Sequence, residues 1–488
     1  MNSKKKISLF FAYFFTLYCG LLYRHYALDT YSEIFASGVS NWGLSSGRYS
    51  SYVLSNILNL LNISPRYTHQ QLFVFISIIL MAVVAGILYD TISKCINISS
   101  EFAELLLMAI IGLALGNVYI TECHLFPEFE FHITIGAFLV ILSIKTFEKD
   151  AKSVKSVLLS LIFLILSIGF YQTYISWFLI MSSTILMCKS SDIKNYLKNI
   201  GIMLLVAAIA SAFNIFITKV FVYAQMAEEL SRSAQLSIRV IIDNIQTILE
   251  SQVTILGWGS GLLPKWSLLL VIIFAIVGYI FCCRKEKLKI LIYLITIFLQ
   301  YVCAYAPHLI SKEVWMSPRT ITPVFIFVAG LYILLIDKIK KNKLNYSIVG
   351  VVLLGFFAID FWSVQGMIQN HIATNKIDQN YAYDIYSEIK KYEAETGNTV
   401  NNIASVNDIN ISYGKRYIDY VTYDINISAF ATGWSDSVLI NFVSGRNFNK
   451  IAMDDEVYKK HFEGKDWDYY CPEEQLFFEG DTLFWCKY

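Results

Sequence analysis

The sequence predicts a polytopic α-helical membrane protein with about eleven transmembrane helices, followed by a C-terminal α+β domain on the non-cytoplasmic side. Three observations predict it. Apolar residues make up 56% of the 488 residues and charged residues only 16%, where an average soluble domain carries about 25% charged residues. Apolar runs long enough to cross a bilayer recur as far as residue 363. Beyond that point the chain turns polar, and short β-type runs alternate with helical stretches.

The expected spans are 7–23, 71–90, 102–121, 132–147, 155–170, 174–188, 200–220, 266–283, 288–306, 320–337 and 345–363. No small-x-small cleavage pattern follows Leu22, so the first run reads as an uncleaved helix rather than a signal peptide. The fifth and sixth runs are separated only by Tyr171, Gln172 and Thr173, and fit either a tight helical hairpin or a re-entrant pair. Lys4, Lys5 and Lys6 put the N-terminus in the cytoplasm. Alternate loops carry matching charges: Lys149, Lys152 and Lys155; Lys189, Lys194 and Lys198; Arg284, Lys285, Lys287 and Lys289; Lys338, Lys340, Lys341 and Lys343. An odd number of spans then leaves the C-terminus outside. On this reading residues 1–363 form the transmembrane domain, with outside loops 24–70, 122–131, 221–265 and 307–319, and residues 364–488 form the soluble domain. Loop 221–265 carries Val240, Ile241, Ile245 and Ile248 at helical spacing, as a helix lying along the interface would.

A net charge of +1 gives no basic field for nucleic acid. Walker, Rossmann and nucleophile-elbow patterns are missing, so no cofactor is expected. His124 and His132 alone do not make a ligand set, so no metal is expected either. Seven of the nine cysteines lie in or beside apolar runs and read as small hydrophobes. Cys471 and Cys486 stand alone in the polar tail and are a candidate disulfide in an oxidising compartment.

Candidate site residues cluster in the outside loops. Asp29 follows the first span by a few residues, and Glu33 lies one helical turn later. Gly47 and Arg48 precede an apolar, serine-rich stretch. The second loop, TECHLFPEFEFHI, sets Glu122, Glu128 and Glu130 among phenylalanines. Such a mixture suits a sugar, because rings stack on pyranose faces and carboxylates accept from hydroxyls. It also suits an ordinary aromatic belt. Tyr171 and Gln172 sit at an outside turn, and Arg319 opens the tenth span on the face where basic residues are rare. An anion such as a lipid phosphate would account for it, and so would snorkelling to headgroups.

These segments together resemble the serotype-converting O-antigen glucosyltransferases, the Gtr type II family. The resemblance covers nearly the whole chain. It rests on the acidic first loop (Asp29), SGRYSSYVL (Gly47, Arg48), the acidic-aromatic second loop (Glu128, Glu130), YQTY, SPRTITP and the terminal EEQLFFEGDTLFWCKY. Related enzymes often carry adjacent acidic residues in the first loop, where this chain has Asp29-Thr30. The resemblance implies a GT-C-like architecture and a bacterial inner-membrane protein with a periplasmic C-terminal domain. It implies an inverting transfer of glucose from a polyprenyl-phosphate-linked donor to a lipid-linked O-antigen sugar. Asp29 is then expected as the base, with Glu128 sharing that role or orienting the acceptor. Glu33, Glu130, Tyr171 and Gln172 are expected to bind substrate, and Arg48 and Arg319 the lipid phosphate. An O-antigen polymerase or ligase and a lipid-linked sugar flippase are the competing readings. The large tail after the last span argues against the first, and nearly charge-free spans without repeats argue against the second.

Overall fold

A backbone in lipid must satisfy its own polar groups, so apolar runs fold as helices. The computed structural model describes residues 3–35, 39, 41–65, 67–96, 98, 100–149, 151, 153–189, 192–230, 234–235, 237–284, 287–339, 343–408 and 418–488. Lys152, Lys285, Lys340 and Lys341, used above for orientation, lie outside the described residues. In chain order the helices are α1 (Ser3–Tyr18), α2 (Leu28–Phe35), α3 (Trp42–Ser45), α4 (Tyr49–Leu60), α5 (Gln70–Ile92), α6 (Glu101–Leu115), α7 (Val118–His124), α8 (Pro127–Lys149), α9 (Val154–Ile168) and α10 (Tyr174–Lys189). They continue with α11 (Ile193–Tyr223), α12 (Ile238–Glu250), α13 (Ser267–Cys283), α14 (Lys287–Ala304), α15 (Ala306–Leu309), α16 (Pro323–Lys338), α17 (Lys343–Thr396), α18 (Asp436–Ser444), α19 (Asp455–His461) and α20 (Pro472–Gln475).

Each expected span falls on a helix, with 102–121 divided between α6 and α7. Among the described residues, five helices are long and apolar enough to cross a membrane: Lys4–Leu22, α5, α8, α11 and Tyr346–Thr396 within α17. The pair α6–α7 makes a sixth if it counts as one span bent by 48°. Val154–Ile168, Tyr174–Lys189, Ser267–Cys283 and Ile290–Ala304 are apolar but shorter. The expected runs 155–170, 174–188, 266–283 and 288–306 are the ones that fall on these shorter helices. Helix α9 ends at Gly169, where a Cβ would collide with Ser50 Oγ and the Tyr49 ring.

The chain divides into two units, Met1–Leu22, Gly38–His124 and Glu128–Gln365 forming one, and Tyr23–Ser37, Leu125–Pro127 and Gly366–Tyr488 the other. In the first, helical unit, α16 is buried along nearly its whole length and α10 from Tyr174 to Leu186, as apolar-all-round helices should be. Buried polar side chains tie neighbours together. Gln300 donates to Ser183 Oγ and Thr184 Oγ1 at 2.9 Å, and Ser143 donates to Ser160 O at 2.8 Å. Leu205, Phe216, Leu270, Phe281 and Phe298 on the peripheral helices α11, α13 and α14 are exposed, a surface that suits lipid.

The break between α6 and α7 is bridged by side chains on both sides. Asn117 Nδ2 donates back to Leu113 O at 3.0 Å and Ala114 O at 3.2 Å. Its Oδ1 accepts from Tyr119 N at 3.0 Å and Ile120 N at 3.1 Å, capping α7. Val118 N donates to Asp360 Oδ1 at 3.0 Å, and Tyr13 donates its hydroxyl to Gly116 O at 2.8 Å. Gly116 is needed here, since a Cβ would stand 2.8 Å from both Leu17 and Phe14 side chains.

The C-terminal unit is built on a four-stranded sheet of order β2-β1-β4-β3. Its strands are β1 (Asn402–Asn407), β2 (Asn449–Ile451), β3 (Leu476–Glu479) and β4 (Thr482–Lys487). Strand β1 pairs in parallel with β2 and β4, and β3 and β4 form an antiparallel hairpin turning at Gly480. Its core includes Ile385, Ile389, Ile403, Phe430, Leu439 and Trp485. Tyr26, Leu28 and Tyr31, from the segment after the first helix, belong to the same core. Asn375 clamps that segment, accepting from Tyr26 N at 2.6 Å and donating to Tyr26 O at 2.9 Å. Cys471 and Cys486 are free thiols, not the disulfide expected from the sequence. Cys486 lies on the inner strand β4 with its side chain in the core, where burial pushes the thiol up to about 12. Cys471 instead caps the short α20.

Asp436, wholly buried at the start of α18, accepts from Lys487 Nζ at 2.8 Å, Lys450 Nζ at 2.7 Å and Ser405 Oγ at 2.6 Å. Burial pushes its pKa up, but the two ammonium groups and the hydroxyl outweigh it and hold the carboxyl below the usual range. Its contribution to stability is therefore present above the unfolded carboxylate pKa and lost as pH falls through the lower folded value. Asp436→Ala should cost about 3–5 kcal/mol by leaving Lys487 buried and unpaired. Thermal unfolding of the detergent-solubilised chain at pH 7 measures this, and an unchanged Tm would refute the role.

Candidate functional site

Two cations of the helical unit are fixed by different devices. Arg48 follows Gly47, whose φ of +74° and crowding leave room only for glycine: a Cβ would stand 2.9 Å from Gln172 Nε2 and Thr218 Oγ1 and 3.0 Å from Asn214 Oδ1. Asn214 donates to Gly47 O at 2.8 Å, and the Gln172 amide donates to the Ser46 carbonyl. Ser50 N reaches Gly169 O at 2.9 Å, and Ser51 Oγ reaches Phe170 O at 3.3 Å. The α3–α4 turn is thus stitched to the α9–α10 turn and to α11. With the turn fixed, the Arg48 guanidinium lies 4.7 Å from the ring centroids of Trp42 and Phe129 and 4.8 Å from that of Tyr171. Stacked rings occupy the faces of a guanidinium, and its N–H edge is the part that forks onto phosphate or carboxylate.

Arg319 sits in the tight turn Pro318–Thr320 before α16. Its partner is Glu122, wholly buried in α7. One Glu122 oxygen accepts from the Arg319 backbone N–H at 2.6 Å, and the other from Nη1 at 2.6 Å. Two bonds from one carboxylate fix both the backbone and the side chain of the arginine. Two residues on, His124 Nδ1 lies 3.5 Å from Glu130 Oε1, both buried. Ser55 Oγ meets His132 Nε2 at 3.1 Å. Glu128 is half-buried in the first turn of α8, next to Phe129, whose ring covers Arg48.

Tyr171 packs against Arg48 and feels the charge of both cations. Burial pushes its phenol far above the ordinary value; Cys123 adds to that rise, while Arg48 and Arg319 pull it back. Arg48, Arg319, Glu122 and Tyr171 thus share one electrostatic neighbourhood. The Tyr171 hydroxyl is buried and has no hydrogen-bond partner among the described residues. No group of three or more metal-ligating side chains occurs among the described residues. The assembly offers two oriented cations, a buried hydroxyl, carboxylates and stacked rings, which together suit an anionic, sugar-bearing ligand.

Of the residues singled out from sequence, Arg48, Tyr171 and Gln172 are brought together at the two stitched turns, and Arg319 shares their neighbourhood. Glu130 pairs with His124. Asp29 and Glu33 belong to the C-terminal unit. Asp29 is exposed in the first turn of α2, where an acid suits the helix N-terminus, and Glu33 is half-buried one turn later. Glu122 was not assigned a role from sequence. The signal was there: an acidic residue at the very end of an apolar run needs a partner, and Arg319 is a cation on the same outside face.

Residues 18–336 match the family described as Glucosyl transferase GtrII. No curated protein matches the chain.

Gly47→Ala should displace the α3–α4 turn, because the new Cβ meets three side chains in a backbone conformation that disfavours alanine. The expected cost is about 1–3 kcal/mol, read as a lower Tm in detergent. Gly397→Ala, also at positive φ (+74°) but with nothing within 4 Å, separates the two causes. Equal losses at both positions would mean that crowding at Gly47 contributes nothing.

Proposed function

Because the chain belongs to the glucosyl transferase GtrII family and is therefore a glycosyltransferase, we propose that it moves glucose from a polyprenyl-phosphate-linked donor to an O-antigen repeat-unit sugar on its lipid carrier. One observation carries this reading: two fixed arginines and a buried hydroxyl, without a hydrogen-bond partner among the described residues, share one neighbourhood with exposed and half-buried aromatic rings. A phosphodiester carrying a sugar needs that set, with cations and a hydroxyl for the phosphate and rings for the pyranose.

The chemistry is a single displacement. An acceptor hydroxyl oxygen bonds to the anomeric carbon as the bond from that carbon to the phosphate oxygen breaks. The proton passes to a carboxylate, polyprenyl phosphate leaves, and the anomeric centre inverts. Asp29 is the proposed base, and Glu128 orients the acceptor or shares the proton. Arg48 and Arg319 take the charge that develops on the departing phosphate. Glu33, Glu130, Tyr171 and Gln172 complete the substrate contacts. The lysine-rich alternate loops support an inner-membrane protein with a cytoplasmic N-terminus, so that the reaction and the C-terminal domain face the periplasm. On that side nucleotide sugars are not at hand, and a lipid-linked donor supplies the activated glucose.

The test is hexose transfer from polyprenyl-phosphate-glucose in membranes matched for protein abundance. Asp29→Asn should lower the rate by roughly 10²-fold or more. Arg48→Lys, which keeps the charge but loses the planar fork, should lower it by about tenfold. A large loss in Glu128→Gln with Asp29→Asn near wild type would move the base to α8. No transfer from the lipid-linked donor by the wild-type chain would overturn the reading as a whole.

A further inference from the structure

We infer that Asp360 is a positioning residue for transfer, acting through the broken helix to set Glu122 and hence Arg319. This rests on the reading above, in which Arg319 takes the lipid phosphate. Asp360 lies on the N-terminal part of α17, is 1% exposed, and is an ionisable residue in a helix otherwise apolar at that level. An acid in such a place needs a partner and a reason. Among the described residues its hydrogen-bond partner is a backbone group, Val118 N at 3.0 Å, the first N–H of α7. Helix α7 is only seven residues long, and Glu122 stands one turn after Val118. No side chain between them is exposed: Val118, Tyr119, Ile120, Thr121 and Glu122 are all buried. A shift at the first residue of so short and so tightly packed a helix is passed to its end.

The rest of α7 is held in the same way. Asn117 fixes the next two N–H groups, Thr121 Oγ1 donates to Asn117 O at 2.8 Å, and Ser260 Oγ reaches the Tyr119 hydroxyl at 3.2 Å. At the far end the two Glu122 oxygens each take one Arg319 donor at 2.6 Å. Asp360, Val118, Glu122 and Arg319 therefore form one mechanical series, and the 48° bend sets its direction. A reacting group displaced by about 1 Å can cost roughly 10²-fold in rate, so loss of the first link should register at the last.

The experiment is transfer kinetics in membranes, with abundance and thermal stability recorded for every variant. Asp360→Ala removes the acceptor and should lower kcat by about tenfold or more, with KM for the lipid-linked donor changed less. Asp360→Asn keeps an acceptor oxygen for Val118 N and should restore most of the rate. On an Arg319→Ala background, Asp360→Ala should cost nothing further, because both act through one link. If Asp360→Ala does not accumulate, Val118→Pro removes the same hydrogen bond at a helix start that tolerates proline, and the same losses are expected. Wild-type kcat in Asp360→Ala, an Asn variant as slow as the Ala variant, or additive losses with Arg319→Ala would each overturn the inference. A wild-type rate in Arg319→Ala alone would instead sink the assignment of Arg319 to the phosphate.

Discussion

The helical unit depends on one repaired fault: the interruption of a membrane-length helix at Gly116–Asn117. An unpaired N–H or C=O away from water costs several kcal/mol, and a bend of 48° frees several at once. Asn117 answers on both sides, Asp360 takes the N–H that Asn117 leaves, and Tyr13 takes the Gly116 carbonyl. With those partners the break is a rigid corner. Without them it would be a weak point, or the helix would straighten and carry Glu122 elsewhere.

The corner matters because of what α7 carries. A buried carboxylate and a neighbouring arginine are tolerated in an apolar setting only as a well-made pair, and Glu122 and Arg319 make two short bonds. Arg48 is accommodated by another route, stacked among Trp42, Phe129 and Tyr171 at the end of a turn that only glycine can make. Two cations prepared in different ways meet in the field of one buried tyrosine. A glucosyltransferase that expels a lipid phosphate has a use for that arrangement, since preorganised charge stabilises a leaving anion without reorganisation at the moment of reaction.

Much of the architecture was legible in the sequence because hydropathy reports directly on burial in lipid. The apolar runs became helices, and the polar tail became a small α/β unit with a sheet. What hydropathy does not report is continuity. Gly116 and Asn117 sit inside one apolar run, and the bend there depends on partners hundreds of residues away in sequence. The turn around residues 171–173, by contrast, was readable, and α9 and α10 flank it as separate helices. The segment after the first helix looked like a surface loop, yet Tyr26 and Tyr31 are core residues of the C-terminal unit. The two polar-tail cysteines invited pairing by composition alone, and the strand register buries Cys486 in the core as a free thiol. At the site, residue types were readable and pairings were not. Arg48, Tyr171 and Arg319 stood out by place and charge, whereas Glu122 emerged only once Arg319 had a position.

The proposed reaction adds a hexose to a lipid-linked glycan. Mass spectrometry of lipopolysaccharide from cells with and without the chain tests it most directly. An increment of one hexose for each O-antigen repeat is expected when the chain is present. Identical repeat masses in the two samples, at normal abundance of the protein in the membrane, would contradict it.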